Sequence, residues 1–210
     1  MHISEGVLSP PVLVTGAVLA AGGLAMGLRK MDNQRLPQVA LLSAAFFVAS
    51  LIHVPVGPSS AHLILNGLVG VLLGWAAVPA IFVALALQAV LFQFGGLTTL
   101  GANTVIMAGP AVVLGGLGGM IMRRNQQPST VMVALVGAVA GGGAVMMSGL
   151  LVALALVFSG DAFGGTAKVI AAAHIPVMAL EAIISATTLS FLVKVRPAMV
   201  GLGVSAGRTH

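Results

Sequence analysis

The sequence predicts an all-α fold, a polytopic bundle of about seven transmembrane helices. Three observations predict it. Hydrophobic residues make up 59% of the chain and charged residues 6%, whereas a soluble domain carries about 25% charged residues and needs them to cover its surface. The nine basic residues fall in short clusters between apolar runs, the pattern of loops held on one side of a membrane. Glycine occurs 28 times, and small residues let helix backbones approach closely in lipid. At roughly 20 apolar residues per crossing, residues 1–210 form a single transmembrane domain with no separate soluble unit.

The elements follow in order. Met1-His2-Ile3-Ser4-Glu5-Gly6 carries an acid and no basic residue, so it does not read as a secretory signal. A first span covers about residues 10–28, and Arg29, Lys30 and Arg35 follow it. A second runs from Pro37 to about Ile52. The segment from His53 to Ser60 holds Pro55, Gly57 and Pro58 and is expected to be non-helical. Two short spans follow, about 61–75 and 79–92. The Gly/Thr-rich run from Gln93 to Asn103 is again non-helical in character. A fifth span reaches Met122 and stops at Arg123-Arg124. The sixth and seventh cover about 131–158 and 169–193, separated by a polar turn around Asp161. Small-residue pairs on the first span, Ala17/Ala21 and Gly23/Gly27, suit a helix contact, within the bundle or with a partner.

Basic residues give the orientation. With seven spans, Arg29, Lys30, Arg35, Arg123, Arg124, Lys194, Arg196 and Arg208 share one side, and Lys168 alone takes the other. The first side is therefore cytoplasmic, the N-terminus outside and the C-terminus inside. The same clustering excludes nucleic acid as the partner behind the net charge of +5. The N-terminus and both glycine-containing loops then meet at the outer face of a cell membrane.

The chemistry at that face belongs to histidine. The chain has no cysteine and only four acids, which excludes thiolate metal sites and thiol nucleophiles. A histidine at position two offers three nitrogens in one plane: the Met1 amine, the His2 amide nitrogen and the His2 ring Nδ1. They close one five-membered and one six-membered chelate ring. Nickel(II) and copper(II) accept tetragonal nitrogen sets, and magnesium and calcium do not. His53 and His62 bracket the second outer loop, where an ionisable group near membrane depth is a functional candidate. Both also fit the plainer role of interfacial anchors at span ends. His174, in the last span near Glu181, reads as helix packing. His210 ends the sequence, where order is least expected. Asn66 and Asn103 sit at span edges, where an amide either holds a ligand histidine from behind or joins helices. Glu5 either offsets a cation's charge or tethers the terminus.

Three stretches resemble one family. Met1-His2-Ile3-Ser4-Glu5-Gly6-Val7-Leu8-Ser9 is similar to the MHIxEG opening of the CbiM/NikM proteins. These are substrate-binding membrane subunits of energy-coupling-factor transporters for cobalt and nickel. Val56-Gly57-Pro58-Ser59-Ser60-Ala61-His62 and the run to Gly70 resemble the family's turn into a histidine segment. Gly95-Gly96-Leu97-Thr98-Thr99-Leu100-Gly101-Ala102-Asn103-Thr104 resembles its GGLTTLGANT. The resemblance covers nearly the whole chain and implies a six-helix core plus an added first helix. It implies an N-terminus folded into the outer side of the bundle. It implies nickel or cobalt as transported substrate, bound by Met1, His2 and His62. In many relatives the loop histidine precedes Pro-Thr-Gly-Thr-Gly; here Leu63-Ile64-Leu65-Asn66-Gly67 follows it, which keeps His53 in competition.

No GxxxxGK[ST] phosphate-binding run is present. ATP-driven transport therefore needs other chains. The resemblance implies a transmembrane coupling subunit, two cytoplasmic ATPase subunits and, in some relatives, a small accessory membrane subunit. The alternative is a self-sufficient divalent metal permease or channel, which calls for ionisable residues deep in several spans. Only Glu181 and His174 answer that description. An enzyme is not expected, because the spans offer no nucleophile–base pair.

Overall fold

The computed structural model describes residues 2–51, 53–56, 59–125, 127–160 and 164–202. Met1, the loop tip at Gly57-Pro58, Asp161, and residues 203–210 with Arg208 and His210 lie outside the described residues.

Helix α1 (Pro10–Arg29) opens on two prolines, tolerated there because the first helical N–H groups have no intrahelical acceptor. Its start is pinned to Phe158 and Ser159: the Ser9 N–H donates to Ser159 Oγ at 3.1 Å and Ser9 Oγ donates to the Phe158 carbonyl at 3.3 Å. Helix α2 (Leu36–Ala49) again carries a proline in its first turn. Helix does not resume after it. Strands β1 (His53–Val56) and β2 (Ser59–His62) form an antiparallel hairpin in which His53 stands opposite His62. Four-residue strands in a bundle leave no periodic signal. The prolines and glycine mark the loss of helix, and the pairing is supplied by the fold.

Helix α3 (Asn66–Leu73) has eight residues, all buried. It ends at Gly74, whose φ of +58° is open to glycine at no steric cost. Helix α4 (Ala77–Phe92) follows a short 3-10 turn. Helix α5 (Leu100–Pro110) passes through a π-turn (Ala111–Gly115) into α6 (Gly116–Arg124). Pro110 lacks the N–H that a regular turn would use, and the ladder widens directly after it. There α3 comes closest: a Cβ on Gly115 would lie 2.6 Å from both the Gly67 carbonyl oxygen and the Gly70 Cα. Helices α7 (Thr130–Val157) and α8 (Gly164–Val195) pack on small residues. A Cβ on Gly137 would sit 2.7 Å from Ala186 Cα, and one on Gly141 2.6 Å from the Glu181 carbonyl. Of the α1 pairs, Gly23 and Gly27 face Val78 and Pro79, and Ala17 meets Gly101. These small residues serve the bundle itself.

The burial pattern is inverted relative to a soluble protein. Val131, Val90 and Val18 are each at least 65% exposed, while Gln88, Asn66, Ser148 and Glu181 are fully buried. Apolar outside and polar inside is the arrangement lipid selects, and the chain is an integral membrane protein. Among the described residues, five apolar stretches are long enough to cross a bilayer: Pro10–Arg29, Asn66–Phe92, Leu100–Arg124, Thr130–Val157 and Ala172–Val195. The 14 residues of α2 span only about 21 Å of a core roughly 30 Å thick. The expected third and fourth spans appear as one apolar stretch broken at Gly74.

The two ends of the bundle differ. At one, Arg35 donates to the Leu72 carbonyl at 2.8 Å, Lys30 stands 4.9 Å from the Trp75 ring centre, and Gln38 donates to the Met199 carbonyl. The other end gathers the N-terminal segment, the Gly95–Thr99 loop and the end of α4.

Candidate metal centre

The N-terminal segment is not a loose tail. His2 is 5% exposed and Ile3 is fully buried. Asn103, in the first turn of α5, clamps the Ile3 backbone from both sides. Its Oδ1 accepts the Ile3 N–H at 2.9 Å, and its Nδ2 donates to the Ile3 carbonyl at 3.1 Å. A further bond from Nδ2 to Thr99 Oγ1 at 3.2 Å sets which way the amide points. Asn103 thus holds the peptide beside His2, whereas the sequence offers it as a support for a ligand ring or as helix glue.

Glu5 is a tether. Its N–H donates to the Gly95 carbonyl at 3.0 Å, and its Oε1 accepts from the Thr98 N–H and hydroxyl at 3.1 and 3.3 Å. Gly96 makes this possible. Its φ is +139°, and a Cβ there would fall inside the Glu5 side chain. The Gly-Gly pair is therefore a seat for the terminus.

The His2 ring lies between aromatic and amide groups. Phe94 is 6.3 Å away between ring centres, and Phe94, Phe92 and Phe47 follow one another at 5.7 and 5.8 Å. Gln88 Oε1 stands 2.6 Å from His2 Nε2. Gln88, deep in α4, was not legible as a site residue: one amide in an apolar helix carries no motif. Its partners are 86 and 38 residues away in sequence. Gln88 Nε2 donates to Ser50 Oγ and to the Phe47 carbonyl. It thereby joins His2 to the end of α2, three residues before His53.

The remaining candidates divide. His53 and His62 are register partners at the open end of the hairpin. Asn66 lies elsewhere. Its Nδ2 donates to the Met107 carbonyl at 3.0 Å and Ser148 Oγ at 3.1 Å, and its Oδ1 accepts the Gly67 N–H at 2.9 Å. Its side chain joins α3 to α5 and α7. His174 is buried against Gly149 in the α7–α8 contact. Among the described residues, no three His, Cys, Asp or Glu side chains converge on a metal-sized site. A metal at this end would depend on backbone or terminal nitrogens beside His2.

Glu181 has a different duty. Its Oε1 accepts the Ile64 and Leu65 N–H groups, the latter at 2.8 Å. These are the residues that turn the chain from β2 into α3, and Leu65 has a φ of +56°. A buried turn must satisfy its N–H groups, because each orphan costs about 1–3 kcal/mol. Glu181→Leu is expected to lose that amount for each of the two groups. Glu181→Gln keeps the accepting oxygen and is expected to stay much closer to the parent. Thermal unfolding in detergent compares them, and equal stability of the two variants would show that the contact does not hold the turn.

The family model described as the cobalt uptake substrate-specific transmembrane region, CbiM, matches residues 2–199. A protein of Haemophilus influenzae whose name places it among metal transport proteins is 46% identical over 200 residues, covering 94% of this chain and 95% of that one. The fused nickel transport protein NikMN of Rhodobacter capsulatus is 46% identical over 123 residues, covering 53% of this chain and 35% of its own length. A crystal structure described as a transition metal transporter superposes with a TM-score of 0.73 at 27% identity, over 93% of each chain. These relatives are transport proteins and not enzymes. With a match over 198 of its residues, from 2 to 199, the chain belongs to the CbiM family of cobalt uptake transmembrane proteins.

Proposed function

We propose that this protein is the metal-capturing membrane subunit of an ATP-driven nickel or cobalt importer of the energy-coupling-factor type. The ion is the transported substrate. It binds at the outer face through the Met1 amine, the His2 amide and Nδ1, and the His62 ring. One observation carries the reading: a buried, clamped segment at His2 and Ile3, with the histidine at position two. Burying such a segment costs conformational entropy, and the Asn103, Glu5 and Gln88 contacts are all spent on holding it. A terminus without a binding duty has no use for them.

Seven passages with the N-terminus outside remain part of this reading, beside the five long apolar stretches among the described residues. The grouping of Lys30 and Arg35 at the end away from His2 supports a cytoplasmic assignment for that end and location in the cell membrane. Energy comes from a coupling subunit and two ATPases, since these 210 residues hold no nucleotide-binding motif. Fused relatives such as NikMN are consistent with an importer assembled from several polypeptides.

The test is nickel titration of the purified protein in detergent, followed by pH and absorption. The amine (ordinary pKa about 7.7–8.0) and imidazoles (about 6.5) bind only when deprotonated. Binding is expected to release protons, and apparent affinity to fall as pH drops from about 7 to about 5. Four nitrogens in a plane give a yellow, diamagnetic nickel complex. A green paramagnetic octahedral centre, or an affinity flat across that pH range, would overturn the chelate.

A further inference from the structure

We infer that Gln88 is a positioning residue that selects the tautomer of His2 and so presets the chelating nitrogen before the metal arrives. This rests on the metal-capture reading above.

The argument follows protons along a chain of hydrogen bonds whose direction is set at one end. The Phe47 carbonyl can only accept. It receives the Ser50 hydroxyl at 2.9 Å and a Gln88 N–H at 3.4 Å. Ser50 has then used its one proton, so its oxygen accepts the second Gln88 N–H. Both amide protons of Gln88 are now directed at the end of α2. Its oxygen necessarily faces His2, 2.6 Å from Nε2. An amide oxygen brings no proton to that contact, so Nε2 carries it. A neutral imidazole has one N–H, and Nδ1 is left as the nitrogen with the lone pair. Nδ1 is also the atom that closes the six-membered ring with the His2 amide.

The opposite assignment fails at the Phe47 contact. With the amide turned over, its oxygen would face the Phe47 carbonyl oxygen across 3.4 Å, two acceptors without a proton between them. His2 would then have to accept at Nε2 and carry its proton on Nδ1, where it blocks chelation. Gln88 and Ser50 are fully buried and His2 nearly so, so bulk water does not compensate the misfit. A metal-ligating histidine commonly has its other nitrogen held in this way, and losing such a partner costs about 10–100-fold in metal affinity. Here the holder is a neutral amide, itself aimed by a backbone carbonyl.

The readout is the tautomer itself. In metal-free protein labelled with 15N-histidine in detergent micelles, the His2 ring is assigned by its loss in His2→Ala. The parent is expected to show a protonated Nε2 and an unprotonated Nδ1. Gln88→Leu, close in volume and without an acceptor, is expected to show mixed tautomers. Its nickel affinity is expected to fall about 10–100-fold with the absorption of bound nickel unchanged, because the ligand atoms are the same. Ser50→Ala, which leaves Gln88 and His2 intact, is expected to give a smaller shift in the same direction. A protonated Nδ1 in the parent would overturn the inference, as would parent-like tautomer and affinity in Gln88→Leu. If Gln88→Leu does not fold, the parent tautomer and Ser50→Ala still decide it. A parent protein that has the expected tautomer and binds no nickel would leave the positioning role standing and refute the metal-capture reading.

Discussion

His2→Ala is expected to cost more nickel affinity than any other single substitution in the chain, and His62→Ala somewhat less. The ranking follows from the chelate. Without the His2 ring, the six-membered ring opens and only the amine remains to anchor the metal against the amide. Without the His62 ring, the three N-terminal nitrogens persist and water can take the fourth position. Both losses should exceed the roughly 10–100-fold typical of a supporting partner. For His2→Ala the fall should be on the order of a thousandfold, about 4 kcal/mol. His2→Ala also leaves the buried Gln88 Oε1 without its His2 partner, an expected stability cost of about 1–3 kcal/mol, so affinities are compared at a temperature where parent and variant both stay folded. His53→Ala is the control and is expected to be milder. Calorimetry that returns parent affinity for His2→Ala or His62→Ala removes that residue from the site.

How much of this was legible in the sequence depends on the range of the interactions. Lipid imposes length and apolarity locally, so the long helices can be read directly. The sequence predicts spans at about 131–158 and 169–193, and the structure has Thr130–Val157 and Gly164–Val195. The middle of the chain is less legible because long-range contacts decide it. The pairing of His53 with His62 and the buried eight residues of α3 depend on a surrounding bundle that satisfies their backbone. Glu181 accepts two N–H groups more than a hundred residues away. Its isolation in an apolar span marks it as expensive, and its partners do not show. His2, Glu5 and Asn103 could be found because the opening residues and the glycine loop have unusual composition. Gln88 could not, since its meaning lies wholly in the direction of protons shared with Ser50, Phe47 and His2.

Blocking the amine of Met1 is expected to abolish tight nickel binding while both histidines remain in place. The reason is sequential. An amide nitrogen gives up its proton only when the metal is already held against it, and the amine and Nδ1 supply that hold from either side through the two chelate rings. With the amine acetylated or carried away on a tag of several residues, one side is lost, the amide keeps its proton, and the four-nitrogen set falls to two imidazoles. The loss should therefore match or exceed that of His2→Ala, on the order of a thousandfold or about 4 kcal/mol. The choice of block matters. A single added residue moves histidine to position three, where amine, two amides and Nδ1 fill a plane without His62. Such a variant is expected to keep a yellow nickel complex that no longer responds to His62→Ala. A tag of several residues provides no such set, but it must leave a segment in which His2 is only 5% exposed. N-terminal acetylation adds little bulk and separates loss of the amine from loss of the fold. A C-terminal tag should leave binding unchanged. Parent affinity in both the acetylated and the tagged protein would mean that the terminal amine is not a ligand, and the buried N-terminus would then need another explanation.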